Sequence, residues 1–395
     1  MRRILTGICW IISWSALAQS SWTDQYLLSA YDDPKIRSYA EQSAFLNDNS
    51  FRTPLIREID LRLRTNNLNP AIEEYRLRLD LVNPFVPRAD KRYQQAYINY
   101  QSIRSNLVIN EVLQDRYLDL IQHYWLSQSV TLLEDYKTAI QQLIATAPSL
   151  STREALSINK DLLDLDLNLN ELAAEVRQLQ LEMQLDETPG WNELELISID
   201  QIRSIIDENL LSGIQEQEAL AAEKQLLEED FNVEKANSRR DLAFIQPEYE
   251  ADPDKELSNR LGMQIGINIP ITKGDKADLG YEKLKLIKAQ NELMEEGEEL
   301  QLLIEVLKNQ IDSQFETLAI LDDKLETLAE IKENLPLNDW EAVYDYLEYE
   351  HLVRKKKLKT LTDLLDSYVQ SLTISGRLAA PPKTNYLIKT LPTLE

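Results

Sequence analysis

The feature that most constrains the fold is a stretch over residues 261–270 that alternates strictly between two kinds of side chain. Its odd positions are large and apolar, and its even positions before the closing Pro270 are Gly, Gln or Asn. A period of two residues is typical of a β-strand with one apolar and one polar face. Residues 59–64 and 75–81 alternate in the same way, and a turn-forming segment with three asparagines and Pro70 separates them. The sequence therefore predicts two hairpins, over 56–82 and 241–270.

Almost all of the remaining chain predicts long helices, because apolar residues recur at steps of three and four. Two of these helices, over about 88–147 and 279–333, are each followed by a proline-containing break and a returning helix. A helix of roughly 60 residues spans on the order of 90 Å, which is longer than a compact domain needs. This length indicates antiparallel coiled-coil helices, and nine glycines in 395 residues fit the same composition. The predicted fold class is mainly α with a small β part.

The order of elements occurs twice along the chain, which indicates an internal duplication. Pro84 and Pro270 follow the two hairpins and are 186 residues apart, while Pro148 and Pro336 lie in the two helical breaks, 188 residues apart. We predict a first repeat over 19–196 with a helical hairpin over 88–183, and a second over 197–378 with a helical hairpin over 279–374. The segment 379–395 contains prolines and is predicted to be a loose tail.

The amino terminus has the pattern of a secretory signal peptide. Two arginines precede an apolar run over 4–17, and Ala16-Leu17-Ala18 is a cleavage site, so residues 1–18 are predicted to be removed on export. The only cysteine, Cys9, lies inside this segment, and the mature chain is therefore expected to have no disulfide. The formal net charge of −25 argues against a nucleic-acid partner, because phosphate binding needs clustered Lys and Arg.

Catalysis finds no support in the sequence. The chain has no G-x-S-x-G, Walker, H-E-x-x-H or G-x-G-x-x-G motif, and its two histidines, His123 and His351, fall on different predicted helices. We expect no enzyme activity, no catalytic residue, no cofactor and no metal site. Each histidine is predicted to be a surface or packing residue.

The strands have the 8–10 residues that suit a tilted crossing of a bilayer, where β-structure must form a closed barrel. About eight strands are the minimum for closure, so several copies of a four-stranded chain must share one barrel, and three copies give 12 strands. The small Gly262 and Gly266 fit a lumen that must stay open. The predicted lipid-facing residues are Leu61, Leu63, Leu77, Leu79, Leu81, Met263, Ile265, Ile267 and Ile269. The predicted lumen-facing residues are Arg62, Arg64, Arg76, Arg78, Gln264 and Asn268. A soluble sheet that covers a helix is the alternative for such strands.

A series of short motifs follows the chain in order. They are Asp33-Pro34-Lys35-Ile36, Pro54-Leu55, Pro84-Phe85, Ser198-Ile199-Asp200-Gln201-Ile202, Pro270-Ile271 and the closing Leu372-Thr373-Ile374-Ser375-Gly376-Arg377-Leu378. None is specific alone, but their order over most of the mature chain resembles the TolC-like outer membrane efflux protein family. The resemblance implies a homotrimer with a 12-stranded β-barrel in the outer membrane that continues into an α-helical tunnel in the periplasm. It also implies two partners, a periplasmic adaptor (membrane fusion) protein and an inner-membrane pump.

The tips of the two helical hairpins are the adaptor contact that the resemblance implies. The predicted tip residues are Pro148, Ser149, Leu150, Pro336, Leu337 and Asn338. Both tips have Pro where the family usually has Gly, and a proline also simply ends a helix. The expected function is an outer-membrane exit duct of a tripartite efflux or type I secretion system, acting as a passive channel. The alternative is a periplasmic coiled-coil scaffold or adaptor without a membrane span.

Overall fold

The computed structural model describes residues 21–49, 54–65, 73–146, 151–185, 191, 195–209, 215–238, 241–251, 256–268, 274–336 and 339–394. The predicted signal peptide over 1–18 lies outside these residues. So do Ile269 and Pro270 at the end of the second predicted hairpin. Five of the six predicted tip residues also lie outside them, namely Pro148, Ser149, Leu150, Leu337 and Asn338.

The described chain is mainly helical with one small sheet, as predicted. Its helices are α1 (Trp22–Ser29), α2 (Pro34–Asp48), α3 (Val86–Thr146), α4 (Thr152–Glu182), α5 (Ile199–Asn209), α6 (Gln215–Asn237), α7 (Leu257–Arg260), α8 (Gly274–Glu333) and α9 (Trp340–Ile374). Its strands are β1 (Ile56–Thr65), β2 (Glu73–Leu81), β3 (Asp241–Ala251) and β4 (Leu261–Asn268). The same order of strands, long helix and returning helix occurs in both halves. The exact repeat boundaries, 19–196 and 197–378, stay a prediction.

Side-chain caps begin the helices that return from breaks in the chain. Ser151 and Glu154 form a reciprocal capping box at the start of α4, and Asp339 accepts a hydrogen bond from a backbone N–H in the first turn of α9. At the other end of α9, Gly376 has a φ of +74°, a conformation that glycine adopts without strain. The backbone of Gly376 and Arg377 then bonds back to the last turn of α9, and the helix ends there.

The two longest helices form the shaft of the molecule. Helix α3 has 61 residues and α8 has 60, so each is roughly 90 Å long. Helix α3 packs against α4, α6 and α9, while α8 packs against α6 and α9. The largest apolar cluster lies where α1, α3, α5, α8 and α9 meet, and two smaller clusters continue along the pairs α3/α4 and α8/α9. Gln314 occupies one position of the apolar seam, and its Nε2 atom donates to Ser367 Oγ at 3.2 Å.

All four strands form one antiparallel sheet in the order β1-β2-β3-β4. Strands β2 and β3 come from different halves of the chain, so their pairing joins the two predicted hairpins edge to edge. The β2–β3 pairing is interrupted between Arg76↔Glu248 and Leu79↔Ile245, on either side of Pro247. A proline has no N–H to donate to a ladder, which explains the gap without ending the strand.

The prediction of a loose carboxy-terminal tail is wrong, because residues 379–394 are packed. Leu387 is 1% exposed, and Tyr386 and Leu394 are buried with it in the main apolar cluster, while Ile388 is also buried. Asn385 is fully buried and donates to Thr23 Oγ1 and Asp24 Oδ1 at 3.2 and 2.7 Å. The prolines prevent a helix in this segment, but its apolar side chains still bury surface and its buried polar groups have partners.

The tail joins three parts of the chain that are distant in sequence. The Tyr117 hydroxyl of α3 donates to the Thr384 carbonyl at 2.9 Å and accepts from the Tyr386 N–H at 3.1 Å. On its other side, the Ile197 N–H donates to the Leu387 carbonyl at 2.9 Å, just before α5 begins. The tail therefore links α1, α3 and the start of the second half.

Candidate functional site

The sheet exposes a continuous row of large apolar side chains, and this face is the candidate functional surface. Leu61 is 65% exposed, Met263 is 68% exposed and Leu77 is 37% exposed. Leu63, Ile265 and Ile267 are exposed as well, whereas Leu79 and Leu81 are half-buried. Large apolar patches are rare on monomeric soluble proteins and indicate a surface that is covered by something else.

The strand register makes this apolar face continuous across the sheet. Leu61 pairs with Leu77, and Leu79 pairs with Ile245, which in turn pairs with Ile265. Paired residues of adjacent strands project from the same face, so the four strands share one apolar surface. The alternation predicted from the sequence therefore extends over β1, β2, β3 and β4.

The opposite face of the sheet is polar, and three of its arginines are paired with carboxylates. Its three closest ion pairs are Arg62–Asp60 at 2.7 Å, Arg76–Glu74 at 2.5 Å and Arg78–Asp80 at 2.7 Å. Glu248 of β3 adds a second carboxylate 3.4 Å from Arg76. These pairs are partly exposed, so they contribute little to stability. Their main effect is that this face carries mixed charge instead of a row of unpaired positive groups.

The other predicted polar positions lie on the same face. Arg64 pairs in register with Glu74, and Gln264 pairs with Gln246. The backbone of Asn268 pairs with that of Asp241 at the end of β4. The residues predicted to face the lumen included these arginines but not the carboxylates beside them. Their signal was present in the same alternation, since Asp60, Glu74 and Asp80 also occupy even positions.

The ring of Phe244 covers the backbone of Gly266 on the polar face, and the fit of both glycines to an open lumen stays a prediction. A Cβ atom on Gly266 would lie 2.7 Å from Phe244 Cζ, too close for a real contact. Phe244 pairs with Gly266 in the same register as Gln246 with Gln264, and a bulge between Leu242 and Phe244 then pairs Leu242 with Ile267. The aromatic ring therefore lies on the polar face of the sheet.

The sheet has two long edges that no other strand of the described chain covers. Strand β1 has 10 residues and pairs only with β2, and β4 has 8 residues and pairs only with β3. Uncovered edges present unpaired N–H and C=O groups and are templates for pairing with another chain. Within the described chain, the sheet therefore has two unpaired edge strands and an apolar face that nothing covers.

A hydrogen bond and an aromatic stack connect the two helical hairpins between the main core and the tips. The Tyr344 hydroxyl of α9 donates to Asp161 Oδ2 of α4 at 2.7 Å. The His351 ring of α9 stacks on Tyr136 of α3 with ring centroids 4.4 Å apart. Pro336, the one predicted tip residue that is described, is exposed shortly after the end of α8. These contacts join the hairpins laterally.

The second histidine, His123, is a buried packing residue. Its Nδ1 atom accepts a hydrogen bond from Trp191 Nε1 at 2.8 Å, and its Nε2 atom lies 3.2 Å from Gln180 Nε2. Burial lowers the pKa of His123 below its ordinary value. Among the described residues, no group of three or more His, Cys, Asp or Glu side chains is arranged to hold a metal ion. None of the described helices is long and apolar enough to span a membrane.

Comparison with known proteins gives a result for structure but none for sequence. No protein-family model matches the chain, and no curated protein matches it. The solved structure of the MtrE outer membrane channel of Neisseria gonorrhoeae in its open state aligns over 92% of this chain and 91% of that chain, with a TM-score of 0.58 and 8% identity. The outer membrane protein VceC of Vibrio cholerae aligns over 90% and 96%, with a TM-score of 0.55 and 11% identity.

A third solved structure, CusC, has a TM-score of 0.57 and 12% identity, and covers 89% of this chain and 91% of that chain. The chain has the fold of these outer membrane channels. The TolC-like architecture predicted from the order of the sequence motifs is therefore confirmed at the level of the fold. The alignments extend over nearly the whole of each chain, so the TolC-like fold includes both the sheet and the long helices.

Proposed function

We propose that this chain is an outer-membrane exit duct in which three copies share one 12-stranded β-barrel. The observation that carries the proposal is a four-stranded sheet with an exposed apolar face and two uncovered edges. Strands of 8–11 residues have the length that crosses a bilayer at a tilt. Four strands are too few to close, whereas three copies place β1 of one chain beside β4 of the next and close the barrel.

In this arrangement, the apolar face contacts lipid and the polar face lines the lumen. The lipid-facing set is the one predicted from the sequence, and Ile245 of β3 belongs with it by register. The lumen then carries ion pairs such as Arg76 with Glu74, so it is wet and mixed in charge. A hydrated lumen of this kind supports passive passage of solutes and needs no chemistry from the chain itself.

The long helices form the periplasmic part of the duct. Three copies of the helix pairs α3/α4 and α8/α9 extend the passage from the barrel as an α-helical tunnel. The fold likeness to outer membrane channels supports the proposal that the duct serves a tripartite efflux or type I secretion system. The adaptor contacts the tips of the helical hairpins, and the inner-membrane pump supplies the energy of transport.

Two adjacent residues of β4 test which face of the sheet meets lipid. Ile265 is on the apolar face and Gln264 is on the polar face, so Ile265→Arg and Gln264→Arg introduce the same charge at one depth. An arginine facing lipid near the bilayer centre costs about 2–4 kcal/mol, whereas one facing the lumen is hydrated. We expect Ile265→Arg to reduce the amount of heat-dissociable trimer recovered from the outer membrane and Gln264→Arg to leave it unchanged.

The comparison of these two variants can also contradict the barrel proposal. If Ile265→Arg assembles as well as Gln264→Arg, the apolar face does not meet lipid, and the barrel proposal is wrong. In a periplasmic scaffold without a membrane span, both variants would be equally soluble and equally assembled.

A further inference from the structure

Four residues form a row across the polar face of the sheet, close to the helices. Asp80 of β2 pairs with Phe244 of β3, which pairs with Gly266 of β4, and Arg78 of β2 completes the row. The row lies at the helix end of the sheet, because β2 ends at Leu81 and α3 begins at Val86. In the proposed duct, this is the level at which the helical tunnel opens into the barrel.

The Phe244 ring lies directly on the backbone of Gly266. A Cβ atom at position 266 would be 2.5 Å from Phe244 Cδ1 and 2.7 Å from Phe244 Cζ, both closer than real Cβ contacts. Gly262, four residues earlier on the same face, differs in this respect. A Cβ atom there would lie 3.6 Å from Glu248 Cβ, which is an ordinary van der Waals distance. Of these two glycines, Gly266 alone must lack a side chain for the neighbouring aromatic ring to keep its position.

Arg78 is held against the sheet by two contacts. Its guanidinium carbon lies 4.2 Å from the centroid of the Phe244 ring, within the range of a cation–π interaction. Its Nε atom also donates to Asp80 Oδ1 at 2.7 Å. The side chains of Arg78 and Phe244 therefore both lie along the polar face of the sheet instead of projecting from it.

We propose that Phe244, seated on Gly266 and covered by Arg78, sets the width of the passage at the junction of tunnel and barrel. This inference rests on the proposed function, since it requires the polar face to line the lumen. Three copies place three Phe244–Arg78 pairs around one cross-section. While the rings lie flat on Gly266, the passage keeps its full width, and any displacement of the rings narrows it. The row thus selects cargo by size, and its Arg78 charge is compensated by Asp80.

A pair of matched glycine variants tests the proposal in purified full-length protein reconstituted into planar lipid bilayers. Gly266→Ala forces the Phe244 ring off the backbone and into the lumen, so we expect a lower single-channel conductance than that of the wild type. Gly262→Ala adds the same methyl group to the same face without a collision, and its conductance is expected to stay at the wild-type level. The double variant Phe244→Ala/Gly266→Ala removes the colliding ring and is expected to regain the conductance lost in Gly266→Ala.

The outcomes separate this inference from the proposed function. If the wild type conducts and Gly266→Ala conducts equally well, the inference is overturned while the duct proposal stands. If Gly266→Ala does not assemble, the test is the double variant Phe244→Ala/Gly266→Ala. A double variant that assembles and conducts supports the proposed collision between a methyl group at position 266 and Phe244. A double variant that does not assemble overturns the inference. A wild-type protein that forms no channel overturns the proposed function itself.

Discussion

The packed carboxy-terminal tail makes a quantitative prediction for Tyr117→Phe. Tyr117 is 1% exposed, and its hydroxyl bonds both the Thr384 carbonyl and the Tyr386 N–H. The substitution leaves both backbone groups without this partner, and a buried unsatisfied polar group costs about 1–3 kcal/mol. Thr384 is partly exposed, so its carbonyl regains some hydration, and the cost of leaving that carbonyl unpaired lies at the lower end of that range. We therefore expect Tyr117→Phe to destabilise the protein by about 2–4 kcal/mol.

Tyr368 is a matched control in the same apolar core. It is fully buried, and its hydroxyl has no hydrogen-bond partner among the described residues. Tyr368→Phe removes a buried hydroxyl that makes no hydrogen bond, so it is expected to be neutral or slightly stabilising. The assay is urea unfolding of the detergent-purified protein, followed by tryptophan fluorescence, with the midpoints of the two variants compared. Equal midpoints for the two variants would refute the role assigned to the Tyr117 hydroxyl.

Two further predictions concern the helical part of the chain. Burial lowers the pKa of His123 from 6.5, so its contribution to stability is complete above about pH 6.5 and is lost as the pH falls towards the folded-state pKa. As the pH decreases, the urea midpoint of the wild type should therefore fall more steeply than that of His123→Gln. The glutamine keeps a hydrogen-bond acceptor for Trp191 but does not titrate. Coincident plots of midpoint against pH for the two proteins would contradict this prediction. Tyr344→Phe removes the 2.7 Å hydrogen bond to Asp161 and should loosen the link between α4 and α9 by about 1 kcal/mol. Hydrogen exchange of both helices should become faster in this variant but not in Tyr349→Phe, which alters an exposed tyrosine, and unchanged exchange in Tyr344→Phe would argue against the link.

Much of the fold was predictable because it depends on local periodicity. The period of two in residues 261–268 identifies a strand and assigns its apolar and polar positions before any pairing is known. The steps of three and four in α3 and α8 likewise identify two helices that are too long for a compact domain. Local residue chemistry also accounts for helix boundaries, such as the cap at Ser151 and the glycine with positive φ at Gly376.

The tail was not predictable because long-range contacts decide its structure. Its prolines and lack of period indicate only that it is neither helix nor regular strand. The partners that fix it, Asp24 and Tyr117, are 361 and 269 residues distant from the tail atoms that they bond. No local pattern in residues 379–394 contains that information.

The details of the polar sheet face were missed for a related reason. Arg76 meets Glu248 only because β2 and β3 pair across the two halves, and the sequence does not state which strands become neighbours. Similarly, Phe244 meets Gly266 through the register in which β3 pairs with β4, and the alternation within β4 alone does not identify the residue opposite Gly266.

The central claim is that three copies of this chain share one barrel in the outer membrane. The most direct test is to separate membrane and soluble fractions of cells that produce the protein and to run each fraction on a gel with and without heating. We predict that the protein is recovered in the outer membrane fraction as a species near three times the monomer mass, which heating converts to the monomer. Recovery as a soluble periplasmic monomer would contradict the shared barrel, and the apolar face of the sheet would then need a protein partner to cover it.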